Sequence, residues 1–110
     1  MLKQGWKRNK MFEVIVSLEA EIDIEESGKW YDKRLAGLSL RFFDEINEYI
    51  LKIQNNPLSF SARKKGSDVR RCSLKKFPFN IFYLVEKNKI TLLAVLHKSQ
   101  STRFIKKRLK

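Results

Sequence analysis

The sequence contains very little cysteine, histidine or glycine, and each scarcity excludes a class of site. There is one cysteine, Cys72, and one histidine, His97, among 110 residues. A single cysteine forms no intrachain disulfide, which fits a reducing cytoplasm, and one cysteine with one histidine is too small a ligand set for a metal. With 4 glycines in the whole chain, no glycine-rich phosphate loop is present. We therefore expect neither a metal ion nor another cofactor.

Long apolar runs are also missing. No run approaches the roughly 20 apolar residues that span a bilayer, and the basic residues 1–10 are not followed by the apolar core of a secretory signal. We therefore expect a cytoplasmic protein with no membrane partner. Residues 1–10 are interpreted as a basic N-terminal arm, which is a disordered segment, a cloning artefact or the product of an early start codon. Residues 11–110 are interpreted as a single domain.

Acidic residues are scarce in one half of the chain only. Residues 1–48 contain 8 basic and 10 acidic residues, whereas residues 49–110 contain 16 basic and 2 acidic residues. So large an imbalance predicts an anionic partner for the C-terminal half. The candidate contacts to a target or to nucleic acid are cationic side chains of this half: Arg63, Lys64, Lys65, Arg70, Lys76 and Arg103.

Hydrophobic periodicity predicts a strand and two helices in the first half. A β-branched strand covers residues 12–16, and Ser17 is the expected N-cap of a helix over residues 18–32 that breaks or bends near Gly28. A second helix carries an apolar side chain at every third or fourth position and ends before Pro57. Its polar side is expected to present the charged residues Asp44, Glu45, Glu48 and Lys52.

Three strands and a tail follow the second helix. The strands are predicted at about 68–76, 79–87 and 89–97, the last covered on both faces because it is almost wholly apolar. A short basic tail helix is expected to dock through Phe104, Ile105 and Leu109. The predicted fold class is α+β: a small antiparallel-rich sheet in the order strand, two helices, three strands, short C-terminal tail helix, with the helix pair packed on one face.

Alternation along the first of these three strands places its side chains on two faces. Arg71, Ser73 and Lys75 are expected to share one face, and Cys72 and Leu74 the other. A row of cationic side chains on a rigid sheet suits a polyanion or an acidic protein segment. We therefore expect the guanidinium of Arg71 to be largely exposed.

Several short motifs occur together in a recognisable order. They are Trp30-Tyr31, Gly37-Leu38, Arg41-Phe42, Asn56-Pro57, Arg70-Arg71, Phe77-Pro78-Phe79, Ile81-Phe82-Tyr83 and Ala94-Val95-Leu96-His97. Each is weak alone, but their order and spacing resemble the RelE/ParE toxin superfamily from about Met11 to about Thr102.

The resemblance implies a small bacterial toxin of a type II toxin–antitoxin pair. Its partner would be an acidic or amphipathic antitoxin that wraps the toxin across the basic sheet face, and operator DNA would be reached only through that antitoxin. RelE-like members of the superfamily cut messenger RNA in the ribosome. ParE-like members inhibit DNA gyrase and are not nucleases.

Departures from the RelE-like pattern favour the ParE-like branch. Arg71 is retained, but Ser73 stands where the nucleases usually have lysine and Asn80 where they usually have arginine. Gln100 occupies a position that is often arginine. Most of the cationic set that would orient the 2′-hydroxyl and stabilise charge during RNA cleavage is therefore replaced.

Two alternatives to gyrase inhibition stay open at this point. One is a ribosome-dependent endoribonuclease that uses Arg71, Lys75 and His97, with His97 belonging to the residue type that exchanges protons near neutral pH. The other is an inactive relative that serves as an antitoxin-binding protein or a co-repressor.

Overall fold

The computed structural model describes residues 12–109, so the arm predicted at residues 1–10 lies outside the described part. In chain order the elements are β1 (Glu13–Val16), α1 (Leu18–Arg34), α2 (Leu38–Asn55), β2 (Val69–Ser73), β3 (Phe79–Glu86), β4 (Lys89–His97) and α3 (Ser101–Arg108). The strands form one sheet in the order β1-β4-β3-β2. β1 runs parallel to β4, and the other neighbours are antiparallel. The α+β prediction is confirmed.

Helix α1 begins where the sequence predicts but does not break. The hydroxyl of Ser17 accepts the Ala20 N–H at 3.1 Å and caps the helix. The helix then runs through Gly28 without interruption, so the predicted break there is wrong. A Cβ at Gly28 would lie 2.6 Å from the Phe43 ring of α2. The glycine serves the close approach of the two helices.

The turn between α1 and α2 depends on a glycine and a carboxylate. Gly37 adopts a φ of 86°, a left-handed conformation that side chains disfavour. It has no side chain to cap α2, and Asp32 of α1 takes that role by accepting the backbone N–H of Ser39 at 2.9 Å and its hydroxyl at 2.8 Å. The Ser39 backbone and side-chain hydrogen bonds hold the pKa of Asp32 below its ordinary value.

One face of the sheet, called the hairpin face below, packs against α1 and α2. Its buried side chains include Tyr31, Phe42, Ile46, Ile53, Cys72, Leu74, Phe79, Ile81, Tyr83, Ile90, Leu92 and Val95. Burial raises the pKa of the Cys72 thiol to about 12, so this cysteine is a core residue and not a reactive thiolate. The hydroxyl of Tyr83 donates to the Pro57 carbonyl at 2.5 Å, and burial raises its pKa to about 12.

The opposite face of the sheet, called the tail face below, is covered by α3. Its buried cluster is smaller and consists of Val69, Phe82, Ala94, Leu96 and Ile105. The predicted docking of the tail through Phe104 and Ile105 is confirmed, whereas Leu109 remains 38% exposed. Both faces of β4 are thus covered, as its apolar sequence predicts. Within residues 12–109, no helix combines the length and apolar character that crossing a bilayer requires.

Candidate functional site

Arg71 lies on the tail face of β2, next to the part of the sheet that α3 covers. It is directly opposite Phe82 of β3, which belongs to the buried cluster under α3. Its backbone N–H donates to the Ser61 carbonyl at 3.0 Å, which fixes the strand, while its side chain is exposed. None of the ion pairs within residues 12–109 involves this guanidinium. It is therefore open to an anionic partner, as the strand alternation predicts.

Two neighbours of Arg71 are neutral and are held in a hydrogen-bonded chain. The hydroxyl of Ser73 donates to Asn80 Oδ1 at 2.6 Å, and Asn80 Nδ2 donates to the Ser101 hydroxyl at 3.2 Å. That hydroxyl lies 2.8 Å from the His97 carbonyl oxygen, to which it donates. Asn80 and Ser101 are only 5% and 3% exposed. This Ser73–Asn80–Ser101 chain joins β2 and β3 to the first turn of α3.

The turn between β2 and β3 is held by a buried carboxylate. Glu45 of α2 is 4% exposed, and its oxygens accept the backbone N–H groups of Lys75, Lys76 and Phe77 at 3.1, 2.7 and 3.1 Å. Three successive N–H groups on one carboxylate form a charge-assisted nest. The side chains of Lys75 and Lys76 stay exposed, so the turn presents two cations in a fixed backbone conformation.

Sequence reasoning missed the role of Glu45 and extended β2 too far. Glu45 was expected on the polar side of α2, but it lies three residues after Phe42 and four before Tyr49, a spacing that belongs to the inner face of a helix. That spacing was the available signal. β2 ends at Ser73 and not at residue 76, so strand alternation does not determine where Lys75 points.

His97 lies on the other side of the sheet from Arg71. It pairs with Phe79 at the end of β4, and its ring stands edge-on to the Phe79 ring with centroids 5.4 Å apart. Phe79 belongs to the hairpin-face core. The imidazole Nδ1 also contacts the Ser99 hydroxyl at 2.8 Å and accepts the Ser99 N–H at 3.1 Å. The structure does not bring His97 and Arg71 to a common face.

The remaining cationic candidates fall into a tethered group and a free group. Arg70 donates from its guanidinium to the carbonyls of Phe60, at 2.5 Å, and Leu58, at 3.4 Å, so it ties down the loop before β2. Arg103 lies exposed on α3 with its guanidinium 5.3 Å from the centre of the Phe104 ring. The other members, Lys64, Lys65 and Lys76, are exposed side chains of loops.

Arg63 belongs to a short extra ladder on the outer edge of β2. Ala62 bridges Arg70 in an antiparallel sense, and the Arg63 N–H donates to the Val69 carbonyl. Because Val69 points to the tail face, its partner Arg63 lies on the same face as Arg71. The ladder therefore adds a second arginine to the tail face.

A groove of about 580 Å³ separates α1 from α3 at the end of β4. It is lined among others by Trp30, Tyr31, His97, Gln100 and Phe104. Tyr31 is buried in the core, where desolvation raises its pKa. Trp30 is 51% exposed, with the Arg34 guanidinium stacked 3.9 Å from its ring centre. Gln100 offers a neutral amide where the nuclease pattern often has arginine.

Comparisons with known proteins agree with this architecture. Residues 14–102 match the family model described as the ParE toxin of type II toxin-antitoxin system, parDE. No curated protein matches the chain. Among solved structures, the chain is similar in fold to the chromosomal ParDE TA system from P. aeruginosa. The identity is 19% and the TM-score 0.70, covering 79% of this chain and 96% of that one.

A second solved structure is a copper-bound mutant toxin from Helicobacter pylori. The identity is 26% and the TM-score 0.57, covering 82% of this chain and 98% of that one. Because the family model spans most of the chain, the motif-based resemblance is confirmed: the protein belongs to the ParE toxin family of type II toxin–antitoxin systems.

Proposed function

We propose that this toxin arrests growth by binding DNA gyrase and not by cutting RNA. The observation that carries the proposal is the Ser73–Asn80–Ser101 chain. RNA cleavage needs cationic and proton-transferring side chains that converge on one phosphate. Ser73 and Asn80 are neutral, and their hydrogen bonds hold the sheet and α3 together.

Binding to gyrase would use the exposed cations around Arg71. A guanidinium presents its donors in a planar fork that matches a carboxylate in a bidentate geometry. The fixed turn that bears Lys75 and Lys76 adds two point charges whose backbone is held by Glu45. No bond is made or broken in this mechanism, since the toxin acts by occupying a surface of the enzyme.

The same family membership gives the toxin a cognate antitoxin, and exposed apolar side chains suggest where it binds. Among large apolar residues, Leu18, Ile22, Trp30 and Leu40 of α1 and α2 are 68%, 46%, 51% and 65% exposed. Interfaces of tight complexes have an apolar centre. We therefore propose that the antitoxin covers the outer side of the helix pair, and this replaces the expectation that it lies across the basic sheet face.

A second candidate function is ribosome-dependent cleavage by Arg71, Lys75 and His97. The cationic excess of the C-terminal half favours an RNA substrate. The opposite-face positions of Arg71 and His97 weigh against it, because a general acid and a charge-stabilising group must reach the same phosphate. Primer-extension mapping of messenger RNA after induction tests this candidate, and new cleavage sites would support it against gyrase inhibition.

A supercoiling assay with purified gyrase tests the main proposal. The wild-type toxin should inhibit supercoiling, and Arg71→Glu should require at least about tenfold more protein, because it removes one charged contact of about 1.5–3 kcal/mol. Lys87→Glu, in the β3–β4 turn, makes the same charge change away from the site and should behave as wild type. Thermal melts establish that all three proteins fold.

Supercoiling left untouched by folded wild-type toxin would contradict gyrase inhibition. Failure of Arg71→Glu to fold would instead make Arg71 a structural residue. Growth arrest on expression without antitoxin would exclude the inactive-relative alternative.

A further inference from the structure

The tail side of the molecule carries cationic side chains both on the sheet and on α3. Arg63 and Arg71 lie on the tail face of the sheet, as the β2 ladder establishes. On α3, Ser101 and Ile105 are 3% and 1% exposed and face the sheet. The opposite side of this helix therefore presents Arg103, Lys106 and Lys107, all exposed. We call these five residues the cationic tail surface.

The charges of the cationic tail surface are not neutralised within the described part of the chain. The three ion pairs there use Lys29, Lys52 and Arg108. Residues 49–110 contain only two acidic residues, Asp68 and Glu86. Glu86 is the last residue of β3, beside Lys89 and at the opposite end of the sheet from the start of α3. Asp68 directly precedes β2 and belongs to none of these ion pairs. Five like charges on one side of a small domain produce a strong positive potential.

The same surface offers almost no exposed apolar area. Among residues 12–109, the large apolar side chains that are exposed are Ile15, Val16, Leu18, Ile22, Trp30, Leu35, Leu40, Leu51, Leu58 and Leu109. Only Leu109 belongs to the α3 region, and the others lie on β1, α1, α2 and the loops that follow these helices. A protein partner needs an apolar centre to its interface, whereas a nucleic acid backbone is bound by a polar, strongly positive surface.

We propose that the cationic tail surface binds the sugar–phosphate backbone of a nucleic acid duplex without reading its sequence. Phosphate contacts position a protein but carry no sequence information, so recognition of an operator stays with the antitoxin. The expectation that DNA is reached only through the antitoxin is thereby replaced by a direct, non-specific contact. Since the proposed antitoxin site is on the helix pair, the toxin can bind its antitoxin and a nucleic acid duplex at the same time. The inference does not depend on gyrase being the target.

Fluorescence anisotropy of the purified full-length toxin with a labelled 20-base-pair DNA duplex tests the proposal. A parallel arm uses an RNA duplex of the same sequence, because both share the phosphate chemistry. Affinity should fall steeply between 50 and 300 mM KCl. The slope of log K against log salt should be about −4 to −5 for five contacts with B-DNA. The duplex that binds with the higher affinity identifies whether DNA or RNA is the natural partner.

Two matched triple variants locate the contact. Replacing Arg71, Lys106 and Lys107 by Gln should make the slope shallower by about 3 and weaken binding at 100 mM KCl by more than about tenfold. Replacing Lys33, Lys87 and Lys89 by Gln removes the same net charge from exposed positions elsewhere and should change affinity less than about threefold. The single change Lys107→Gln, on the outer side of α3, serves if the first triple variant does not fold.

Four results would overturn the proposal. Equal losses in the two triple variants would mean that only net charge matters. Absence of binding to both duplexes at 50 mM KCl, or binding that salt does not weaken, would remove the phosphate contact. Competition by poly-glutamate as strong as that of unlabelled duplex of equal charge would assign the surface to an acidic protein. A toxin that inhibits gyrase but fails these tests would leave the proposed target standing.

Discussion

The two faces of the sheet are built in different ways. The hairpin face is closed by two long helices over a large apolar core. In this core the Phe42 ring contacts three other rings, those of Tyr31, Phe77 and Phe79, with centroids 5.0–5.4 Å away. The tail face is closed by one eight-residue helix, whose Ile105 packs with four buried side chains of the sheet. Stability therefore resides mainly on the hairpin face, while three of the five residues of the cationic tail surface lie on a helix with few contacts to the sheet.

The anchors of α3 within residues 12–109 are few, and they include both apolar and polar side chains. An isolated helix of eight residues is not stable in water, so α3 depends on its contacts with the rest of the domain. These contacts are the side chains of Phe104 and Ile105, the Ser73–Asn80–Ser101 hydrogen bonds and an ion pair between Arg108 and Asp23. In that ion pair, the two guanidinium nitrogens lie 2.6 and 3.2 Å from the carboxylate oxygens. Opening of α3 should therefore be separable from unfolding of the sheet.

The largest effect is expected for Phe42→Ala in the hairpin-face core. Phe42 is 0% exposed, and its truncation leaves a cavity among aromatic rings, at a cost of about 4 kcal/mol in the free energy of unfolding. Urea denaturation measures this loss, and hydrogen exchange should accelerate in all elements together. Exchange that accelerated in α2 alone would contradict a single cooperative hairpin-side unit. Phe43→Leu, at a partly buried neighbour, is the control.

Ile105→Ala should produce the clearest contrast between the faces. Ile105 is 1% exposed, so its truncation should weaken α3 docking by about 2–3 kcal/mol. Because the sheet keeps its hairpin-face core, exchange should accelerate mainly in residues 101–108 while β2 and β3 stay protected. Ile105→Val, which loses one methylene, should have a much smaller effect. A loss of protection in β3 equal to that in α3 would show that the two faces unfold as one.

Arg108→Ala should loosen α3 by removing its ion pair with Asp23. The Arg108–Asp23 pair is partly buried, with side chains 26% and 12% exposed. Its loss should lower the free energy of docking of the C-terminal turn of α3 by about 1 kcal/mol. Hydrogen exchange of α3 measures this change at low salt. Lys107→Ala, at the neighbouring exposed position, should leave the exchange rates unchanged, and a similar acceleration in both variants would argue against the ion pair.

The smallest effect is expected for Asp32→Asn on the hairpin side. The pKa of Asp32 is lower in the folded protein, so its carboxylate contributes stability above the pKa of the unfolded chain. That contribution is lost as pH falls through the folded pKa. The difference in stability between wild type and variant should therefore be present at pH 6.5 and shrink on acidification. Asp44→Asn is the matched control, and a difference independent of pH would refute the assignment.

Local patterns predicted the elements well, because each depends on residues close in sequence. The apolar stripe of α2, the Ser17 cap and the exposure of Arg71 follow from helix periodicity, capping chemistry and strand alternation. Gly28 shows the limit of such rules. A glycine inside a helix signals weakness locally, but here it is explained by the Phe43 ring from the next helix.

Features set by distant partners were not predictable in this way. The parallel pairing of β1 with β4 joins residues such as Ile15 and Thr91, and no local pattern specifies it. The burial of Glu45 depends on three N–H groups about 30 residues away. The same hydrogen bonds hold the turn that begins soon after β2, and they fix the backbone of Lys75. Long-range polar contacts of this kind are the part of the site that sequence reasoning missed.

The carboxylate of Asp23 has a consequence for the solubility of the free toxin. β1 pairs with β4 only as far as Leu92, so the next stretch of β4 is a sheet edge that invites a strand from another molecule. Asp23 accepts the Val95 N–H at 2.9 Å, while Arg108 donates to the Leu93 carbonyl at 3.3 Å. One helix and the tail thereby occupy the groups through which neighbouring copies would otherwise stack, and a toxin released from its antitoxin is shielded from aggregation at this edge.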